Sequence, residues 1–142
     1  MHTPTTFTSL RSKLEEWKAN DLLMPAPELS WMRFQKVAAK EILPVLQEAE
    51  QALASAGLEV SITEADETTR TLGLYVLDVG LLFWPAEDAR TVHFLARRFS
   101  DEGQGHENRF RYAQVQADPL RTVVEEALLR LLGPRQAYSV NR

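Results

Sequence analysis

The hydrophobic positions near the N-terminus recur with the period of a helix. Leu10, Leu14 and Trp17 are spaced i, i+4 and i+7, and this spacing predicts an amphipathic helix over 7–20. The prolines in 21–29 disfavour helix in the residues before them, so that segment is predicted to be extended. We expect the apolar side chains of this helix and arm to pack on the rest of the domain. Otherwise the arm would bind a partner.

A longer helical pattern follows and contains one proline. Apolar positions recur through 30–56 with a helical period, Ser30 is a suitable cap, and Gly57 is a suitable C-terminal residue in left-handed conformation. Pro44 lies inside this helix, where proline removes one backbone hydrogen bond. We therefore expect a kink or a break near Ile42–Leu43.

Between the helical segments, the chain has stretches with the composition and alternation of β-strands. They are joined by short loops, which favours an antiparallel meander. A final amphipathic helix is predicted between Asp118, as its cap, and Gly133. The fold is therefore predicted to be α+β, a four-stranded antiparallel meander with helices packed on one face, in the order α-α-β-β-β-β-α. The predicted strands are 58–63, 72–84, 90–99 and 108–116.

The segment 72–84 is the most apolar part of the chain and contains a single charged residue, Asp78. Interpreted as one long strand with a bend near Gly80, it has two unlike faces, because successive side chains of a strand point in opposite directions. The odd positions from Tyr75 to Phe83 are all apolar and are predicted to face the core. The even positions are predicted to form an outer face, with Leu74, Val76, Asp78, Gly80, Leu82 and Trp84.

Charges on the neighbouring strands indicate how this outer face could be paired. A register that keeps the apolar residues on one side sets Phe83 opposite Val92 and Asp78 opposite Arg97. The same reasoning sets Arg97 opposite Arg111, an unfavourable pair of like charges. Asp78 would relieve that repulsion, so Asp78 and Arg97 are predicted to form a cross-strand ion pair.

Composition places the chain among ordinary globular proteins. It has 142 residues, of which 44% are hydrophobic and 25% charged, and one domain is predicted over 1–142, with an N-terminal helix and arm over 1–29 and a loose tail over 135–142. The absence of cysteine excludes disulfides and thiolate metal sites and fits a reducing compartment. The uncharged apolar runs are too short for a membrane helix, so a cytoplasmic location without a membrane partner is predicted.

The net charge of −4 hides an uneven distribution. Residues 1–89 carry 7 basic and 14 acidic side chains, whereas 90–142 carry 9 basic side chains, all arginine, and 6 acidic ones. Either the two parts neutralise each other within one domain, or the second part presents a surface to an anion or an acidic partner.

The predicted outer face combines large apolar side chains with charged ones, which is unusual for a sheet surface in contact with water. An apolar patch bordered by charges often marks an interface. Three interpretations are open: the segment 7–24 covers the face, a protein partner or a second copy binds it, or it holds a small anionic ligand. The candidate binding residues are Asp78, Leu82, Trp84, His93, Leu95, Arg97, Arg109 and Arg111.

The motifs in the chain do not identify a reaction. Its three histidines lack metal-ligand spacing, and neither a metal nor a cofactor is predicted. The preferred interpretation is a small non-catalytic binding or adaptor domain that associates with itself or with a protein partner through the outer face. One alternative is a small anion-binding domain or enzyme centred on Asp78, His93 and Arg97. The other is single-stranded nucleic-acid binding, for which the acidic composition is unfavourable.

Overall fold

Helices flank a β-sheet in the computed structural model, which describes residues 7–100 and 105–134. The predicted tail at 135–142 lies outside the described residues. Within the described part, none of the helices is both long and apolar enough to cross a membrane. The helices are α1 (Thr8–Ala19), α2 (Ala26–Val37), α3 (Leu43–Ser55) and α4 (Ala117–Leu132). The strands are β1 (Val60–Thr63), β2 (Leu72–Val76), β3 (Val79–Pro85), β4 (Thr91–Arg98) and β5 (Gly105–Arg111).

The strands form one antiparallel sheet in the order β1-β2-β3-β4-β5, so strands that follow one another in the chain are neighbours. The predicted α+β class and the antiparallel arrangement are confirmed. The predicted number of strands is wrong, because the described residues contain five strands rather than four. The difference arises from 72–84, which folds into β2 and β3 instead of one long strand.

The hairpin between β2 and β3 turns at Leu77 and Asp78. Val76 pairs directly with Val79, and Leu77 has a left-handed backbone with φ +52°. Because the residues on either side of this two-residue turn lie opposite each other, the inward positions are even in β2 and odd in β3. Leu74 and Val76, which the sequence places on the outer face, are therefore buried in the core. Leu77, predicted to face the core, is 66% exposed.

The inner face of the sheet packs against α2, α3 and α4. Phe83 and Phe94 stack in this layer with 4.7 Å between ring centroids. The stripe of α4 joins the same core through Leu120 and Val124. The core therefore lies between one face of the sheet and these helices. Its fully buried side chains include Phe34, Ile42, Leu46, Leu74, Leu81, Phe83 and Val92.

The segment 21–29 is not extended as predicted, because α2 begins within it. Pro25 flanks the first residue of α2, and Pro27 lies in its first turn. Proline is tolerated there, since the first N–H groups of a helix have no acceptor within the helix. Ser30, predicted as the cap, lies inside α2, where its buried hydroxyl donates a hydrogen bond to the Ala86 carbonyl.

The chain does not break near Ile42–Leu43, since both residues keep helical backbone angles; the kink stays a prediction. One π-helical turn, Ala38–Ile42, joins α2 to α3 and ends two residues before Pro44. Pro44 lies inside this continuous helical stretch, where it supplies no N–H, and the π-helical turn before it replaces the regular hydrogen-bond pattern. Gly57 follows α3 with φ +86°, as the sequence predicts.

α1 confirms the helix predicted over 7–20, but it does not pack as expected. None of its residues is buried, and Trp17 is 36% exposed. Leu22 and Leu23, which follow α1, are also exposed. The expectation that these apolar side chains pack on the domain is therefore wrong.

Candidate functional site

The side of the sheet turned away from the core carries large side chains, and we call it the outer face. Its residues alternate along β3 and β4 with the buried core residues. Leu82, Trp84 and Leu95 are half-buried and do not belong to the hydrophobic core. The outer face includes Tyr75, Gly80, Leu82, Trp84, His93, Leu95, Arg97, Phe99, Arg109 and Arg111, together with Thr91 and the acidic Glu107, which lies opposite Leu95.

The pairing of β3 with β4 differs from the predicted register by two residues. Phe83 lies opposite Phe94 rather than Val92, and Trp84 lies opposite His93. Because the shift is an even number of residues, each side chain of these two strands keeps its predicted face. The structure therefore brings together on the outer face Leu82, Trp84, His93, Leu95 and Arg97.

The pairing of β4 with β5 keeps the arginines apart. Arg97 lies opposite the first residue of β5, whereas Arg111 is the last residue of that strand. The predicted juxtaposition of Arg97 and Arg111 is therefore wrong. The cause is that β5 ends before Tyr112–Gln114, which form a 3₁₀ turn and not the end of a strand. Arg109 lies opposite His93.

Asp78 is not part of the outer face, because it occupies the turn between β2 and β3. Its carboxylate accepts a hydrogen bond from the Ser100 hydroxyl, and its carbonyl oxygen accepts one from the Phe99 N–H at 2.7 Å. Arg97 lies opposite Gly80 instead. The predicted cross-strand register of Asp78 with Arg97 is therefore wrong, and Asp78 ties the hairpin to the end of β4.

Ring contacts organise the outer face into two groups. Trp84 stacks on His93 with 5.1 Å between ring centroids. Tyr75 stacks on Phe99 at 6.2 Å, and the Arg97 guanidinium lies 5.2 Å from the centre of the Phe99 ring. Aromatic and arginine side chains are the types that contribute most to binding at protein interfaces. Both groups are therefore suited to contact a partner.

Gly80 makes room for the Phe99 ring. A Cβ atom at Gly80 would lie 2.5 Å from that ring, so the ring rests directly on the strand backbone. The sequence does not identify Tyr75 as an outer-face residue, because an interpretation of β2 and β3 as one strand turns Tyr75 inward. The available signal is Gly80 itself, since a glycine within an apolar strand often accommodates a covering aromatic side chain.

The three groups of the predicted acid–base centre do not come together. His93 lies opposite Trp84, while Asp78 precedes the first residue of β3 at the other end of the strand. At about 3.3 Å per residue, the six residues from Asp78 to Trp84 span about 20 Å, far beyond hydrogen-bond reach. The described residues likewise hold no group of three or more His, Cys, Asp or Glu side chains able to bind a metal ion.

One polar group away from the outer face is buried without a partner. The Tyr112 hydroxyl has no hydrogen-bond partner among the described residues. Burial raises the pKa of Tyr112 to about 12, and the Asp88 carboxylate adds to this rise while Arg33 opposes it. The phenol therefore stays protonated at neutral pH.

Tyr112→Phe is expected to leave the free energy of unfolding unchanged or slightly higher at neutral pH, because it removes a buried hydroxyl that lacks a partner. Between pH 10 and 12 the wild type should lose stability relative to the variant, since the unfolded phenol ionises at its ordinary pKa of 10.0 and the folded one at about 12. Urea unfolding of both proteins at neutral and alkaline pH measures this difference. A loss above about 1 kcal/mol at neutral pH would show that the hydroxyl is hydrogen-bonded.

The outer face has to be interpreted from its own geometry. Comparisons of the chain with protein-family models, with curated proteins and with solved structures found no match. The geometry consists of half-buried apolar and aromatic side chains across β3 and β4, with Arg109 and Arg111 at the β5 edge. This arrangement is suited to contact with another surface.

Proposed function

We propose that the protein is a small non-catalytic binding domain that forms a homodimer through the outer face. The observation that carries the proposal is the position of Leu82, Trp84 and Leu95 on the sheet face opposite the core. On a sheet face in contact with water, the residues at such positions are normally polar. Apolar area removed from water contributes roughly 25 cal/mol per Å², so pairing two such faces is favourable.

In the proposed dimer, the two outer faces pack against each other around a two-fold axis parallel to β3. Each copy then contributes the same patch to the interface. Leu82 and Trp84 lie near the axis, while β1 of one copy lies above β5 of the other. Sheets that pack face to face are about 10 Å apart, which side chains of this size can fill.

Charges at the two edges of the sheet support this orientation. Arg109 and Arg111 lie on β5 at the end of the sheet where β1 also ends. Asp66 and Glu67 follow β1 at that end, whereas Glu64 lines a pocket on the helix side of the sheet with Trp31 and Phe34. An axis parallel to β3 would therefore place the acidic loop of one copy above the arginines of the other. An axis perpendicular to the strands would place β5 above β5, with Arg109 near Arg109 of the second copy and Arg111 at the opposite end of the strand.

Trp84→Asp is expected to halve the molar mass of the protein in solution, because it would place a carboxylate in the centre of the interface. Sedimentation equilibrium or light scattering measures the mass, and circular dichroism verifies the fold. Leu77→Asp is the matched control: it adds the same charge at an exposed turn position and should leave the mass unchanged.

A folded Trp84→Asp variant with the mass of the wild type would contradict the proposed dimer. If that variant does not fold, Arg111→Glu provides the second test, since Arg111 is an exposed residue at the β5 edge. Reversing this charge should weaken self-association without changing stability. An unchanged dimerisation constant would then count against the proposed orientation.

The alternative functions stay predictions with less support. An anion site or enzyme centred on Asp78, His93 and Arg97 would need groups that lie at different places along the sheet. Single-stranded nucleic acid could stack on Trp84 or Phe99, but the pI near 5.4 is unfavourable. The cytoplasmic location, which rests on the cysteine-free sequence, also stays a prediction.

A further inference from the structure

A groove runs between α3 and α4 and encloses about 450 Å³. This volume is within the range of roughly 300–1,000 Å³ that ligand pockets span. Leu129 of α4 lines the groove and is 68% exposed. The groove is therefore an apolar surface open to water. Its apolar lining includes Val45, Ala49, Leu53, Leu128, Leu129 and Leu132.

α1 is an amphipathic helix whose apolar side chains are not buried against another part of the described chain. None of its 12 residues is buried, although Leu10, Leu14 and Trp17 form one apolar stripe. A helix shorter than about 12–15 residues is only marginally stable in water, so α1 needs packing to persist. Residues spaced i, i+4 and i+7 are the anchors by which a helix binds in an apolar groove.

The charges of α1 match those of the groove. At 100° per residue, Lys13 lies on one side of the apolar stripe and Arg11 and Lys18 lie on the other. Glu15 and Glu16 point away from the stripe. The basic side chains would therefore lie along the rims of any groove that holds the stripe.

The rims of the groove carry acidic side chains on both helices, Glu48 on α3 and Glu125 on α4. Arg121 also lines the groove and pairs with Glu48 at 2.9 Å and with Asp118. Its hydrogen bond holds the pKa of Glu48 below the ordinary value, so Glu48 stays ionised. The groove lining therefore carries one net negative charge and α1 one net positive charge, although Lys13 also lies 3.7 Å from Glu16.

Within one chain, Leu14 at the centre of α1 cannot reach the middle of the groove. Along the axis of α2 and α3, the distance from Pro25 to Ala49 is about 36 Å at about 1.5 Å per residue. From Pro25 back to Leu14, the chain spans at most about 28 Å, even with the linker between α1 and α2 fully extended. That linker is shortened further by a turn in which the Leu22 N–H donates to the Trp17 carbonyl at 2.7 Å.

We propose that α1 of one copy occupies the α3/α4 groove of a second copy, and that two copies exchange their α1 helices reciprocally. The apolar stripe of α1 packs on the groove lining, with Lys13 and Lys18 near the acidic rims. This contact is distinct from the outer-face dimer, because it uses the opposite side of the molecule. Each of the two contacts can therefore be tested in the absence of the other.

Cross-linking tests this exchange directly, because the chain contains no cysteine. One protein carries Leu14→Cys, a second carries Ala52→Cys at an exposed position in the groove, and the two are mixed with a short bis-maleimide linker. A cross-link between the two different proteins is expected. Ser12→Cys is the matched control, because it lies about 180° around the helix from the stripe. No product, or equal product with Ser12→Cys, would overturn the proposal.

The molar mass provides a second test, carried out in the Trp84→Asp background to remove the outer-face contact. With both contacts present, the wild type is expected to be a tetramer. Trp84→Asp should then halve its mass to that of a dimer, and adding Leu14→Asp should make it monomeric. Since no residue of α1 is buried, Leu14→Asp should not unfold the rest of the chain. A Trp84→Asp protein that is already monomeric would overturn the α1 exchange. If Trp84→Asp leaves the mass unchanged, the outer-face dimer fails, and Leu14→Asp must still lower the mass.

Discussion

Replacing Phe83 with alanine is expected to lower the free energy of unfolding by about 3–5 kcal/mol. The Phe83 ring is fully buried and stacks on Phe94 with 4.7 Å between centroids. Its removal leaves a cavity that the surrounding side chains fill only in part, so the cavity adds to the lost burial. Because natural domains have a total stability of about 5–15 kcal/mol, Phe83→Ala should leave the protein marginally stable.

The next residue in the chain provides the matched control for Phe83→Ala. Trp84 belongs to the same strand but points to the outer face, where it is half-buried. Trp84→Ala is expected to lower the free energy of unfolding by only about 1 kcal/mol and to act mainly on self-association. Urea unfolding at protein concentrations where the monomer prevails separates these effects. Equal losses in the two variants would contradict the assignment of the inner and outer faces of β3.

Leu74→Ala is expected to lower the free energy of unfolding by about 2–5 kcal/mol, because Leu74 is fully buried in the core. Leu77→Ala should change it by less than about 0.5 kcal/mol, since Leu77 is 66% exposed in the turn between β2 and β3. Alanine adopts the positive φ of this position no more readily than leucine, so the backbone contribution stays the same. Thermal or urea unfolding of both variants gives the comparison.

This pair of variants distinguishes the hairpin from the single strand predicted by the sequence. In one continuous strand, Leu77 would face the core and Leu74 the outer face. A larger loss of stability for Leu77→Ala than for Leu74→Ala would therefore contradict the hairpin. The comparison needs no assumption about oligomeric state, because neither side chain is part of the outer face.

The sequence predicts where most of the helices lie because their signals are local, although α2 begins at Ala26 and not at Ser30. The apolar stripes in 30–56 and 118–132 determine which helix faces are buried, and Gly57 marks the end of the longer helix. The hairpin is missed because Leu77–Asp78 lacks the Asn-Gly or Asp-Gly pair that usually signals a two-residue turn. An unbroken apolar run on both sides also gives no local sign of a chain reversal.

The start of α4 is a second place where the local sequence pattern does not predict the structure. Asp118 is predicted to cap this helix, but it lies in the first turn and pairs with Arg121. The Ala117 N–H, at the first residue of α4, instead donates to the Glu41 carboxylate at 3.0 Å. Glu41 is far away in the chain, within the π-helical turn between α2 and α3, so a local pattern cannot identify it as the acceptor.

For the candidate site as well, some features follow from the local pattern and others only from the tertiary structure. Alternation along the chain by itself places Leu82, Trp84 and Leu95 on one face, because side chains of a strand alternate with a period of two residues. Only the tertiary structure decides which residues lie opposite them. It also places Asp78 in the hairpin turn and the Phe99 ring over Gly80. The physical reason is that register depends on turns and on packing between distant segments, whereas alternation is a property of each strand alone.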